Sequence, residues 1–286
     1  MGFTSYKKYT DADDNGARHS AFIHKTGHTA AASGYRYIDL SMAAGTPKYN
    51  AYAGDATSFT PLVGAGNAGI FTGGNVSPLT KHLSKFAIQS LSANSAPAEY
   101  WLADYLGFYA LVDMDSTDQQ DMDNTLSLTR YTSGEGVRIM LVSTTPQTAS
   151  VQVNISYTNS NGTAGRAATT YTFANNTGVI TCGDAAGGAL STQQWFVPLA
   201  SGDTGVRSIE SITCLGSAGG FCAAVLVKPL AFIQQREVAT ITEIDYLTER
   251  PGVPRIYDGA YLNIMAHFGG SAASAVLRGY ADFIWS

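Results

Sequence analysis

The densest chemistry in the sequence is acidic. From Asp113 to Asp123 the chain reads DMDSTDQQDMD, five carboxylates within eleven residues. Oxygen-rich loops of this kind hold Ca²⁺, and an Asp-x-Asp start is how an EF-hand loop begins, so Asp113, Asp115 and Asp118 are weak metal candidates. The pattern then departs from that loop: Asp118 occupies the sixth position, where the sharp turn needs Gly, and Asn124 the twelfth, where a bidentate Glu belongs. Carboxylates packed this closely repel one another, and a neighbour's Lys and Arg side chains would relieve the repulsion as well as a cation. Met114 and Met122 add apolar atoms suited to an interface. The expectation is therefore a partner-binding loop of Asp115, Asp118, Asp121, Met114 and Met122.

Other candidate groups are sparser. His24 and His28 stand four apart in HKTGH, a metal-binding spacing only on a helix, which Gly27 weakens. His19, His82 and His267 have no ligand-type neighbours in sequence. Cys182, Cys214 and Cys222 form no C-x-x-C pair and read as buried thiols in a reducing compartment. Neither a G-x-S-x-G elbow nor a P-loop occurs; Gly216-Ser217-Ala218-Gly219-Gly220 reads as a turn. A carboxylate pair for glycoside hydrolysis could come only from Glu99, Asp104 and Asp113, which lie among aromatics. The sequence predicts no catalytic residue, no cofactor and no enzyme.

The elements that would position these groups are mostly strands. Val151, Val153, Ile155 and Tyr157 alternate with polar residues, Asn159-Ser160-Asn161-Gly162 carries the Asn-Gly turn signal, and Ala168–Phe173 runs back. Further strands are expected at Tyr35–Leu40, Leu126–Tyr131, Val137–Ser143, Gln194–Leu199, Val206–Leu215, Phe221–Val227, Thr240–Asp245, Ala260–His267 and Val276–Trp285. Residues 78–112 hold the best helical signal: Leu79, Leu83 and Phe86 recur at helical spacing, and the aromatic-dense Ala98–Leu111 reads as helix or, because Gly107 interrupts it and Phe108–Val112 reads as β, as a turn of helix running into a strand. Residues 1–30 show no core alternation and read as an arm, helix-compatible over Phe3–Tyr9. The Gly-, Ala-, Thr- and Tyr-rich stretch from Gly34 to Gly74, broken by Pro47 and Pro61, reads as extended chain clamped onto its own or a neighbouring subunit. The fold expected is mainly β: a jelly-roll-like two-sheet sandwich with an extended N-terminal arm and one or two short helices. Residues 1–75 would be arm and extended segment, and 76–286 the sandwich domain.

Composition points to assembly. Only 14% of the 286 residues are charged, against roughly 25% in ordinary soluble domains, so much of the surface is neutral and suited to contact with neighbours. A net charge of -5 with scattered basic residues argues against nucleic acid. Without a run of about 18 apolar residues no membrane partner is expected, and the start MGFTSYKKYT lacks a signal peptide's apolar run.

The stretch YWLADYLGFYALVDMDSTDQQDMDN (100–124), with Arg130-Tyr131-Thr132, Gly134-Glu135-Gly136-Val137, VQVNISYTNSNGTAGR and the end LRGYADFIW, resembles structural proteins of tailed bacteriophages. The resemblance implies a virion component of the capsid decoration, or cement, type. Such a protein would be made in the host cytoplasm and sit on the capsid surface, with the major capsid protein and copies of itself, as a homotrimer, for partners. Other readings are a neck, tail or shell component, or a surface glycan-binding module.

Overall fold

The computed structural model describes residues 3, 5–26, 37–64, 68–92, 95–173, 180–183, 194–249, 252–269 and 276–286. Its elements begin with helix α1 (Tyr6–Asp14) and strands β1 (Arg18–Thr26), β2 (Tyr37–Asp39), β3 (Gly45–Thr46) and β4 (Phe59–Pro61). The middle of the chain supplies β5 (Lys81–Ser90), β6 (Ala98–Asp113), β7 (Gln120–Asp121), β8 (Arg138–Ser143), β9 (Val151–Asn159), β10 (Arg166–Ala167), β11 (Tyr171–Phe173) and β12 (Thr181–Cys182). The rest forms β13 (Val206–Cys214), β14 (Phe221–Gln235), β15 (Thr242–Asp245), β16 (Arg255–Ile256), β17 (Leu262–Phe268) and β18 (Val276–Trp285).

These strands build three sheets, and the chain is mainly β, as the sequence implies. One sheet runs β15-β5-β18-β1-β3 with β16 also on β5, and another β10-β9-β13-β7 with β11 also on β9. The third runs β14-β8-β12-β2-β17-β6-β4, and β14 pairs with β6 as well, so its six longer-range members return on themselves. Closure leaves β8, β12, β2 and β17 no free edge along their paired residues.

Packing explains why β6 is a strand throughout, where helix, or a turn of helix running into a strand, was expected. Leu102 to Ala110 are all buried, because β6, β8 and β14 lie between two hydrophobic cores. Met140, Val142, Ala223, Val225 and Tyr105 enter the first core, while Ile139, Leu141, Ala224, Leu226 and Tyr109 enter the second. A strand covered on both faces has no polar phase and reads as a continuous apolar run, which periodicity alone does not distinguish from helix. Gly107 is part of this fit: a Cβ there would lie 2.3 Å from the Phe59 ring of β4. The same correction applies to Leu83 and Phe86, which belong to β5 and pack in the first core.

The N-terminal arm is corrected too. After α1, capped by the Ser5 hydroxyl accepting from the Lys8 amide, β1 pairs with β18 from Arg18 opposite Ile284 to Thr26 opposite Val276. Its inward positions are Ala21, Ile23 and Lys25; the alternation is present but its third member is a lysine. Strands before residue 75 and after 76 share sheets throughout: β1 with β18, β2 with β17, β4 with β6. The expected division there is thus crossed by hydrogen-bonded ladders, and the extended segment is laid over its own subunit.

The hairpin of β9 forms as expected, with the Asn159 side-chain oxygen accepting from the amides of Asn161 (3.1 Å) and Thr163 (2.9 Å). Leu126–Tyr131 and Gln194–Leu199, expected as strands, are irregular instead.

Candidate interaction surface

The ionisable groups divide into those sealed inside and those left at the surface. Inside, Asp39 at the end of β2 accepts from the Ser41 amide (2.9 Å) and hydroxyl (2.6 Å), from Tyr52 Oη (2.6 Å) and from Tyr105 Oη (2.8 Å). Burial pushes the carboxyl up and its donors pull it back; burial and the neighbouring Asp39 push Tyr52 and Tyr105 well above the usual phenol range. Asp104 accepts a bidentate pair from Arg130, Nε at 2.9 Å and Nη2 at 2.8 Å, and a third bond from the Tyr261 amide at 3.0 Å. Burial raises Asp104 against the lowering pull of Arg130.

Two buried lysines fasten loops. Lys25 Nζ donates to the carbonyls of Ala43 (3.1 Å) and Pro47 (2.6 Å), and burial pushes it down to about 8. Lys81 Nζ donates to Thr72 Oγ1 (3.0 Å) and the Gly74 carbonyl, and sits 5.7 Å from the centre of the Trp285 ring.

The three carboxylates considered for glycoside chemistry all lie on β6. At roughly 3.3 Å per residue, Glu99 and Asp104 are about 16 Å apart along the strand and Asp113 farther still, beyond the roughly 5–9.5 Å that acid and nucleophile or base require.

The acidic loop is not assembled into a metal cage: the described residues contain no group of three or more His, Cys, Asp or Glu placed to hold a metal ion. Asp113, Asp115 and Asp118 are engaged locally instead. Asp113 Oδ1 accepts from the Asp115 amide, the Ser217 hydroxyl donates to Asp115, and the Asp118 amide donates to Ser116 Oγ at 3.2 Å. Met114 and Met122, expected to face a partner, are buried in the second core at 0% and 8% exposure. They pin the loop's two ends, which leaves Asp115, Asp118 and Asp121 outward and exposed. Of the histidine pair, His24 is exposed on a strand rather than a helix, and His28 lies outside the described residues.

Sequence reasoning missed the feature with the clearest capacity to bind. β3 pairs with β1 only at His24 and Lys25; among the described residues no strand covers the rest of that edge. Amide and carbonyl directions alternate along a strand. Since the Thr26 amide points to Ala44 O on the β3 side (3.0 Å), the backbone groups of Phe22 and Ser20 point the same way, into the open edge. A groove of about 480 Å³ runs there, with Gly69–Phe71 as its opposite wall. Phe22, 78% exposed, and Phe71, 52% exposed, flank it, and Phe71 packs edge-on against His19 with ring centres 5.0 Å apart. Among the described residues, His19 and Lys48 line the groove and no carboxylate does. The available signal was the outward Phe22 in a Pro-free, β-compatible segment.

No protein-family model matches the sequence, and no curated protein matches it. Among solved structures, weak similarity is found to three of infectious bursal disease virus: the Gt strain (10% identity, 94% of this chain and 80% of that chain, TM-score 0.20), the VP2 subviral particle (11%, 94% and 80%, 0.20) and virus-derived T=1 particles (12%, 93% and 77%, 0.20).

Proposed function

We propose that the protein is a non-enzymatic virion structural protein that binds the outside of a phage capsid and stabilises it by bridging capsomers. The observation that carries the reading is the surface: in a chain with 14% charged residues, large apolar side chains including Phe22, Tyr49, Phe71 and Leu126 are at least half exposed, while the Asp39 and Asp104 carboxylates are sealed inside by structural bonds. Such a surface favours association, and contacts of modest individual strength repeated over a shell act together through avidity. The resemblance of residues 100–124 and the C-terminal stretch to tailed-phage structural proteins supplies the setting. Asp115, Asp118 and Asp121 are proposed as contacts to basic side chains of the major capsid protein, and a homotrimer as the bound form.

The test is the copy number of the chain in purified particles, with binding measured by co-sedimentation with particles stripped of it. Hundreds of copies and saturable rebinding are expected. A handful of copies places the protein at the neck or tail, and failure of stripped particles to rebind it contradicts the decoration role. Light scattering of the free protein should give about three times 30.1 kDa.

A further inference from the structure

We propose that the open edge of β1 is a docking site for an extended acidic peptide segment of another protein, which adds there as a further antiparallel or parallel strand. The inference goes beyond the virion reading and does not depend on it. Strand addition needs unpaired backbone groups in a row, and Ser20 and Phe22 present theirs toward the groove. It also needs an edge without protection. Natural edges are blunted by proline, bulges or charged side chains, outward or inward, whereas β1 pairs with β18 over nine residues without a register shift. Its uncovered part contains no proline and no lysine, and the inward Lys25 lies where β3 already pairs. The uncovered stretch, Arg18 to Ile23, is roughly 20 Å long at the usual strand rise. Main-chain bonds along such an edge give affinity, and the flanking side chains give specificity.

Charge selects the occupant. His19 and Lys48 line the groove without an opposing carboxylate among the described residues, in a chain whose net charge is -5. Arg18, at the near end, is already paired with Asp13 at 2.7 Å. A second copy pairing through its own β1 would bring basic groups against basic groups, so an acidic segment of a different chain fits better. Side chains alternate along an added strand, so on one face its apolar residues would meet Phe22, and on the other its carboxylates would meet His19, which shares the face of Ala21 and Ile23 and packs against Phe71.

The probe is a fluorescein-labelled peptide of sequence Thr-Val-Asp-Val-Asp-Val-Thr, read by anisotropy against the full-length protein. Saturable binding is expected, weakened at least tenfold when alternate peptide nitrogens are methylated and when both Asp are replaced by Lys, the second difference shrinking with added salt. Ser20→Pro removes an outward amide that makes no bond to β18, and should abolish binding while the protein remains folded. If that variant unfolds, Phe22→Glu places a like charge against the probe at an exposed position and should weaken binding tenfold. Binding indifferent to N-methylation overturns strand addition. Equal binding of the Lys peptide overturns the acidic occupant. Absence of binding, or self-association that Ser20→Pro abolishes, overturns the proposal in favour of an unused edge or of a second copy.

Discussion

The closed sheet and the six-stranded sheet treat the same problem in opposite ways. In the closed sheet, β6 pairs with β14, and the order β14-β8-β12-β2-β17-β6 returns to its start. Its Asp39 accepts from Tyr105 and from Tyr52 of a loop, and its Asp104 from Arg130 of another loop. In the six-stranded sheet, β1 ends the order but for two residues of β3, and its backbone groups face a groove. Substitutions in the first region should therefore change stability, and substitutions at the edge of the second should change association. Ionisable groups deep in a fold mark where the chain is fastened, whereas an exposed, regular strand edge marks where something else can be added.

The largest stability effect is expected at the Asp104–Arg130 pair. Arg130→Ala leaves a carboxylate with 1% side-chain exposure without its cation, a change that costs about 3–5 kcal/mol; denaturant unfolding should show it, and a loss below about 1 kcal/mol would mean water reaches Asp104. Lys25 gives a pH signature. Its value in the folded protein, about 8, lies below the ordinary 10.5, so between those two values the unfolded chain holds the extra proton and the group's contribution to stability rises with pH. The rise is at most about 3 kcal/mol. Melting temperatures between pH 7.5 and 10 should climb more steeply in the native protein than in Lys25→Met, and equal slopes would show that Lys25 is not sealed.

Gly107→Ala forces a methyl into the Phe59 ring and should cost about 1–3 kcal/mol. Tyr52→Phe removes one of the donors to Asp39 and should cost on the order of 1–3 kcal/mol, since the carboxylate oxygen it served stays buried. Replacing Asp115, Asp118 and Asp121 together with Asn should move stability least, by about 0.5 kcal/mol per site or less, while weakening particle binding in a salt-sensitive way.

Half-buried strands were legible. β9, β13 and β18 show apolar positions against polar ones or end at turn residues, and the sequence places them within a residue or two. β6 was not legible before Phe108, because burial between two cores removes the polar phase that distinguishes strand from helix; only Phe108–Val112 read as β. β1 was hidden by Lys25, an inward residue whose head bonds to carbonyls of a loop twenty residues away. The acidic run is conspicuous because carboxylate density is visible in sequence. The isolated Asp39 and Asp104, each set in an apolar strand, carry most of the polar structure, and their signal was a single charge in a run of aromatics. The groove could not be read at all, since it depends on β3 stopping after two residues and on Gly69–Phe71 passing opposite.

Residue-resolved amide hydrogen exchange tests the contrast between the two sheets most directly. The Ser20 and Phe22 amides should exchange rapidly, while those of Ala21 and Ile23, which face β18, and of Met140 and Val225 in the closed sheet stay protected; the acidic probe peptide should slow Ser20 and Phe22 alone. Protection of Ser20 and Phe22 equal to that of Ala21 and Ile23 in the free protein would show that the edge is already covered, and would contradict the account.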